Sequence, residues 1–163
     1  MKSKFSPDGS LGQSLEKWWD ELQKSNGDKA ELRRAQTVTD VILLPVYQRA
    51  CQRFKPFFGE EDYQYRLAAI LGLLAHVKIN SSESLAKQMA VSRPGVSELR
   101  FRRLLQRDRS DLYITMIRVL RMLGNQANIY DLADSVYYWG DRIKREWAFE
   151  YFPNANTTEK TSA

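Results

Sequence analysis

The chain has 163 residues, 25 lysines and arginines against 20 acids, and a formal net charge of +5. That length supports one cored domain, or two small packed subdomains, without disulfide or metal staples. A single cysteine, Cys51, and a single histidine, His76, exclude an internal disulfide, a multi-cysteine metal site and a histidine-based triad, so no catalytic residue, metal ligand or cofactor is assigned.

Residues 1–10 are polar and marked by Gly, Pro and Ser, which predicts a disordered tail. Leu11, Leu15, Trp18, Trp19 and Leu22 then fit an amphipathic helix ended by Ser25-Asn26-Gly27. Adjacent helical positions diverge by about 100°, so one tryptophan is expected in the core and the other over a loop or an interface. A short second helix, Lys29 to Ala35, carries Arg33 and Arg34. Thr39-Asp40 is placed to cap a third helix running through Val41, Leu44, Tyr47 and Cys51, with Pro45 near its first turns. Arg49 and Arg53 lie four apart on one face of it. Lys55-Pro56 and Gly59 mark a loop, and residues 62–77 read as a helix apolar on most sides, the expected central element of the core.

The run Leu67 to Val77 is too short to span a bilayer, and MKSKFSPDGS lacks the apolar stretch of a signal peptide, so a cytoplasmic product without a membrane is expected. His76, at the end of that run, reads as a core or helix-end residue. No glycine-rich phosphate loop occurs. Ser81 to Ser84 precede a helix containing Leu85 and Met89.

The segment from Arg93 to Leu123 holds eight arginines, no lysine and three acids, a net +5. The 92 residues before it and the 40 after it carry +2 and −2, so this segment alone equals the charge of the whole chain. Phe101, Leu104 and Leu105 make an apolar face, while Arg100, Arg103 and Arg107 fall on a different one, beside Arg102. Pro94 fits a first helical turn, and Ser92 or Ser97 a cap. Asp108 and Asp111 open a second helix that bears Arg109, Arg118 and Arg121. The planar guanidinium fork suits phosphate oxygens, so an acidic polymer is the expected partner.

After Gly124-Asn125, a helix from Ile129 to Tyr137 and another from Asp141 to Phe152 follow, the latter with Arg142, Lys144 and Arg145. Residues 153–163 read as a second disordered tail. Without an alternating strand pattern, the expectation is an all-α bundle of eight or nine helices over 11–152, in one body or in two halves meeting near 78–95.

The stretch 85–105 also has the outline of a helix-turn-helix, which makes a sequence-specific regulator the alternative function. Two features count against it: Ala90 stands where the turn usually carries glycine, and the arginines cluster late in the second helix, suited to backbone more than to base edges.

Across residues 11–152 the order of motifs resembles the CasB family, the small subunit of the type I-E CRISPR surveillance complex called Cascade. The likeness is carried by Leu15 to Leu22 with its tryptophan pair, Ala30-Glu31-Leu32-Arg33-Arg34-Ala35, Leu44-Pro45-Val46-Tyr47, Arg100-Phe101-Arg102-Arg103-Leu104-Leu105, and Trp139 followed by Arg142, Arg145, Trp147 and Tyr151-Phe152. It implies an all-α, non-enzymatic subunit that pairs with a second copy and joins the backbone and large subunits. There it would help hold the guide RNA–target DNA hybrid and the displaced DNA strand of the R-loop. In such complexes base pairing reads the sequence and protein holds the backbones. The basic residues above are the candidate contacts, and Tyr63, Tyr65, Tyr137, Tyr138 and Trp139 are candidate stacking surfaces, though helically spaced aromatics are more often core.

Overall fold

The computed structural model, which describes residues 3–162 and their side chains as far as Ala155, contains ten helices, with the fifth at the centre. These are α1 (Ser10–Gln23), α2 (Asn26–Arg34), α3 (Val38–Ile42), α4 (Pro45–Phe54), α5 (Tyr63–Leu74), α6 (Leu85–Val91), α7 (Glu98–Leu105), α8 (Arg109–Met122), α9 (Ile129–Tyr137) and α10 (Asp141–Ser162). Two short parallel strands, β1 (Ile79–Asn80) and β2 (Gln126–Ala127), pair with each other. The all-α expectation holds, with this strand pair as its one departure among the described residues.

Helix α5 sits at the centre because Leu67 to Leu74 are all buried, leaving it no polar side. It packs against α2, α3 and α4 from the first half of the chain and against α8 and α9 from the second. One contiguous apolar cluster runs from Phe5 to Ala155, so the two halves share a single core.

Helix ends follow local chemistry. The side chains of Thr37, Ser97, Asp108 and Asn128 accept backbone N–H bonds in the first turns of α3, α7, α8 and α9, meeting donors that have no partner within the helix. The expected third helix is two, because Pro45 lacks an N–H and opens α4 at its first turn instead of continuing α3. Pro94, likewise, lies outside α7, which Ser97 starts.

Both tryptophans of α1 are buried, at 7% and 8% exposure, contrary to the expected division. The divergence of adjacent positions is real, but α1 is covered on both sides. The Trp19 indole donates to the Val77 carbonyl at 3.0 Å beyond the end of α5, while Trp18 lines a groove with Val46 and Ala50 of α4.

The described part of the expected N-terminal tail is also packed. The Phe5 ring is fully buried and meets Phe58 and Tyr137 at 6.4 and 5.9 Å between centroids. Asp134 accepts from the N–H groups of Lys4 and Phe5, both at 2.9 Å, and from the Ser3 hydroxyl. At the other end α10 continues past Pro153 with Ala155 buried; Met1, Lys2 and the side chains from residue 156 onward lie outside the described residues.

Gly12 lets the N-terminal segment lie against α1, since a Cβ there would come within 1.9 Å of the Ser6 carbonyl oxygen. Phe5→Ala is therefore expected to cost about 3–5 kcal/mol. Gly12→Ala should cost about 1–3 kcal/mol through displaced packing. Urea unfolding measures both, and protease cleavage within residues 3–9 should appear in each variant before the helices open.

Candidate nucleic-acid interface

Helix α7 is held by its apolar side. Phe101 is fully buried and stacks on Tyr151 at 3.8 Å between centroids, with interplanar angle 9°. The Tyr151 hydroxyl donates to the Val96 carbonyl at 2.6 Å, fixing the residue just before the Ser97 cap. Leu104 is buried one turn after Phe101. With that face fixed, Arg100, Arg102 and Arg103 are left on the solvent side. The Arg100 guanidinium reaches the Met122 sulfur at 3.6 Å, which sets the α7 row beside the C-terminal turn of α8. Arg118 and Arg121, on that part of α8, are exposed as well. None of these five arginines lies within ion-pair distance of a carboxylate among the described residues. Like charges held together in this way raise the local potential for an anion.

The other basic residues expected to bind are placed differently. Arg109 points inward: its guanidinium donates to the carbonyls of Val136 at 2.9 Å, Tyr137 at 3.0 Å and Trp139 at 3.2 Å. It closes the C-terminus of α9, where unsatisfied carbonyls favour a cation. Burial, and next the charge of Arg66, lower its proton affinity. Arg66 shares the task, donating to the Tyr137 carbonyl at 3.0 Å while pairing with Asp62.

Arg107 is half-buried, with its carbonyl accepting from the Trp139 indole at 2.9 Å and its own Nε buried without a partner. Arg49 pairs with Asp28 at 3.1 Å and Arg53 with Glu21 at 2.6 Å, tying α4 to α2 and α1. Arg142 pairs with Glu146 at 3.0 Å and lies over the Tyr138 ring. Lys144 lies over the Trp139 ring at 5.6 Å. Arg33, Arg34 and Arg145 are exposed. Of the candidate stacking aromatics, Tyr63, Tyr137 and Trp139 are buried and Tyr65 and Tyr138 half-buried, so aromatic packing here serves the core.

The helix-turn-helix outline resolves into α6 and α7 joined by residues 92–97. Six connecting residues exceed the three or four of that motif's turn. α6 packs along α10, and α7 meets the same helix through Phe101 and Tyr151, so α6 and α7 are consecutive helices of the bundle.

A family model described as CRISPR-associated protein Cse2 matches residues 28–152. The chain belongs to this Cse2 family. Among solved structures, the fold is similar to a chain in a crystal structure of E. coli Cascade bound to a PAM-containing dsDNA target, with a TM-score of 0.70. The likeness covers 89% of this chain and 96% of that one at 19% identity. A search of curated protein sequences finds no match. The matched Cse2 region begins after α1 and includes every basic residue of this candidate interface.

No helix among the described residues is long and apolar enough to cross a membrane. The division between outward and inward arginines has a direct test. Arg109→Ala should lower stability by about 1.5–3 kcal/mol or more, the worth of hydrogen bonds to a charged group, whereas Arg103→Ala should stay within about 0.5 kcal/mol. Chemical unfolding of the two variants reads the contrast directly.

Proposed function

We propose that this Cse2-family chain is a non-catalytic subunit of a Cascade-type antiviral surveillance complex. It binds nucleic-acid backbone without sequence preference and steadies the guide RNA–target DNA hybrid and the displaced strand. The observation that carries this reading is the solvent-facing row Arg100, Arg102 and Arg103 with Arg118 and Arg121, five guanidiniums without a carboxylate partner among the described residues. Guanidinium forks match phosphate oxygens, and such contacts carry no base information. Membership of the Cse2 family and the similarity to a chain of DNA-bound Cascade support the setting. In it the partners are guide RNA, target and displaced DNA, the backbone and large subunits, and a second copy of the chain.

The paired arginines Arg49, Arg53 and Arg142 form a reserve. Exposed ion pairs contribute only about 0–1 kcal/mol, so an incoming phosphate can displace their carboxylates. Arg109 has no such freedom, since moving it would uncover three carbonyls.

Arg100→Glu, Arg103→Glu and Arg118→Glu together are expected to weaken target-DNA binding by the assembled complex equally for all guide sequences, with assembly and helix content unchanged. Each lost phosphate contact should reduce the log–log salt slope by about 0.7–0.9. A loss confined to particular target sequences would favour the helix-turn-helix regulator, and undiminished binding would refute the role of this face.

A further inference from the structure

A second group of cations lies where the chain leaves α5, and it unites residues far apart in sequence. Asn125 donates from its side-chain amide to the His76 carbonyl at 2.9 Å, and the Lys78 N–H donates to the Asn125 carbonyl at 2.8 Å. These bonds hold residues 76–78 against the end of α8, where the Gly124 N–H donates to the Arg121 carbonyl. From the other side, Gln23 reaches the Val77 carbonyl at 3.5 Å and accepts from Lys29 Nζ at 2.7 Å. Lys29 belongs to α2, which also carries Arg33 one turn later and packs on α5.

Lys29, Arg33, Lys78 and Arg121 thus converge, and among the described residues no carboxylate pairs with any of them. Arg33, Lys78 and Arg121 are exposed. Beneath them lies His76, only 5% exposed, whose Nε2 is buried without a hydrogen-bond partner. Burial first, and then the charges of Arg33 and Arg121, push His76 down to about 4. Burial and the charges of Arg33 and Lys78 likewise lower Lys29. The imidazole is therefore neutral at pH 7 and offers these cations no counter-charge.

We propose that Lys29, Arg33, Lys78 and Arg121 form a second binding site, for consecutive backbone phosphates of a nucleic-acid strand, continuing the arginine row of α7. Arg121 is the hinge between the two, one residue from the Met122 sulfur that Arg100 touches. Four cations converging without an acid destabilise one another until an anion arrives. Two guanidinium forks favour phosphate oxygens over a lone carboxylate. The continuity with the row favours a polymer over a free ion. This site rests on the function proposed above and shares Arg121 with the row, yet it is tested on Lys29 and Lys78, which the row does not contain.

The chain's single histidine supplies a built-in reporter. Anisotropy of labelled oligothymidylate, titrated onto the full chain over a range of salt, is compared for wild type, Lys29→Gln/Lys78→Gln and Arg100→Glu/Arg103→Glu. The lysine pair is expected to lower the salt slope by about 1.4, two single-strand contacts, and saturating oligothymidylate is expected to shift the His76 ring NMR signals of the wild-type chain. An unchanged slope in the lysine variant, or an unmoved His76 signal at saturation, overturns this site. If the Arg100→Glu/Arg103→Glu variant still loses affinity in that case, the broader function survives, while salt-insensitive binding by the wild type would remove both. A His76 shift caused by inorganic phosphate that oligothymidylate does not displace would assign the cluster to a free anion. Equal competition by polyglutamate would assign it to an acidic protein. Either outcome overturns the proposal.

Discussion

Helix α5 has no side that water tolerates. Tyr63 and every residue from Leu67 to Leu74 are buried, and burial continues through Val77. A helix of this kind cannot lie on a surface, and α2, α3, α4, α8 and α9 are packed against it. Gly72 sets the closeness of that enclosure: a Cβ there would come within 2.3 Å of the Tyr113 hydroxyl and 2.9 Å of a Val41 methyl. Helices α8 and α3 therefore approach α5 at one level from opposite halves of the chain, which is why the halves share one core.

The enclosure creates a difficulty where α5 ends, because backbone polar groups there are buried and need partners. They find them across the chain. The Trp19 indole meets the Val77 carbonyl, the Asn125 amide meets that of His76, and β1 pairs with β2. The turn after α8 makes this possible, with Gly124 and Asn125 at φ +70° and +59°, a region that glycine and asparagine adopt most readily. A structural requirement thus fixes α2, residues 76–78 and the end of α8 together, and the cations they carry are brought side by side as a result.

What the sequence reveals is what repeats locally. The period of apolar residues shows α1, α5, α8 and α9, and the one-sided arginines of α7 stand out because Phe101 and Leu104 lie on the same short helix. Phe5 escapes notice because a lone aromatic in a polar stretch has no periodicity, and its burial depends on Asp134, 129 residues away. Pro45 is ambiguous in sequence, being compatible with a first turn of α4 or with an interrupted longer helix, and only the packing on α5 decides. Lys29 and Lys78 are single lysines in unremarkable surroundings; their significance comes entirely from the tertiary path of the chain.

Arg109 shows the limit of reading charge as function. It belongs to the same segment as Arg100 and Arg103, has the same chemistry, and contributes equally to the +5 of that segment. Its environment separates it. The C-terminus of α9 ends in carbonyls that no further turn satisfies, and two guanidiniums, Arg66 and Arg109, converge on them. A guanidinium suits this place because its fixed fork bonds several carbonyls at once, which a lysine's compact ammonium does not match. The same geometry would suit phosphate oxygens, so residue type alone does not distinguish a helix-capping arginine from a backbone-binding one. The distinction lies in whether acceptors of the protein's own are already within reach. For Arg109 they are; Arg102, Arg103 and Arg118, on the open face, form no ion pair with a carboxylate among the described residues, which leaves their forks open to an acceptor from outside.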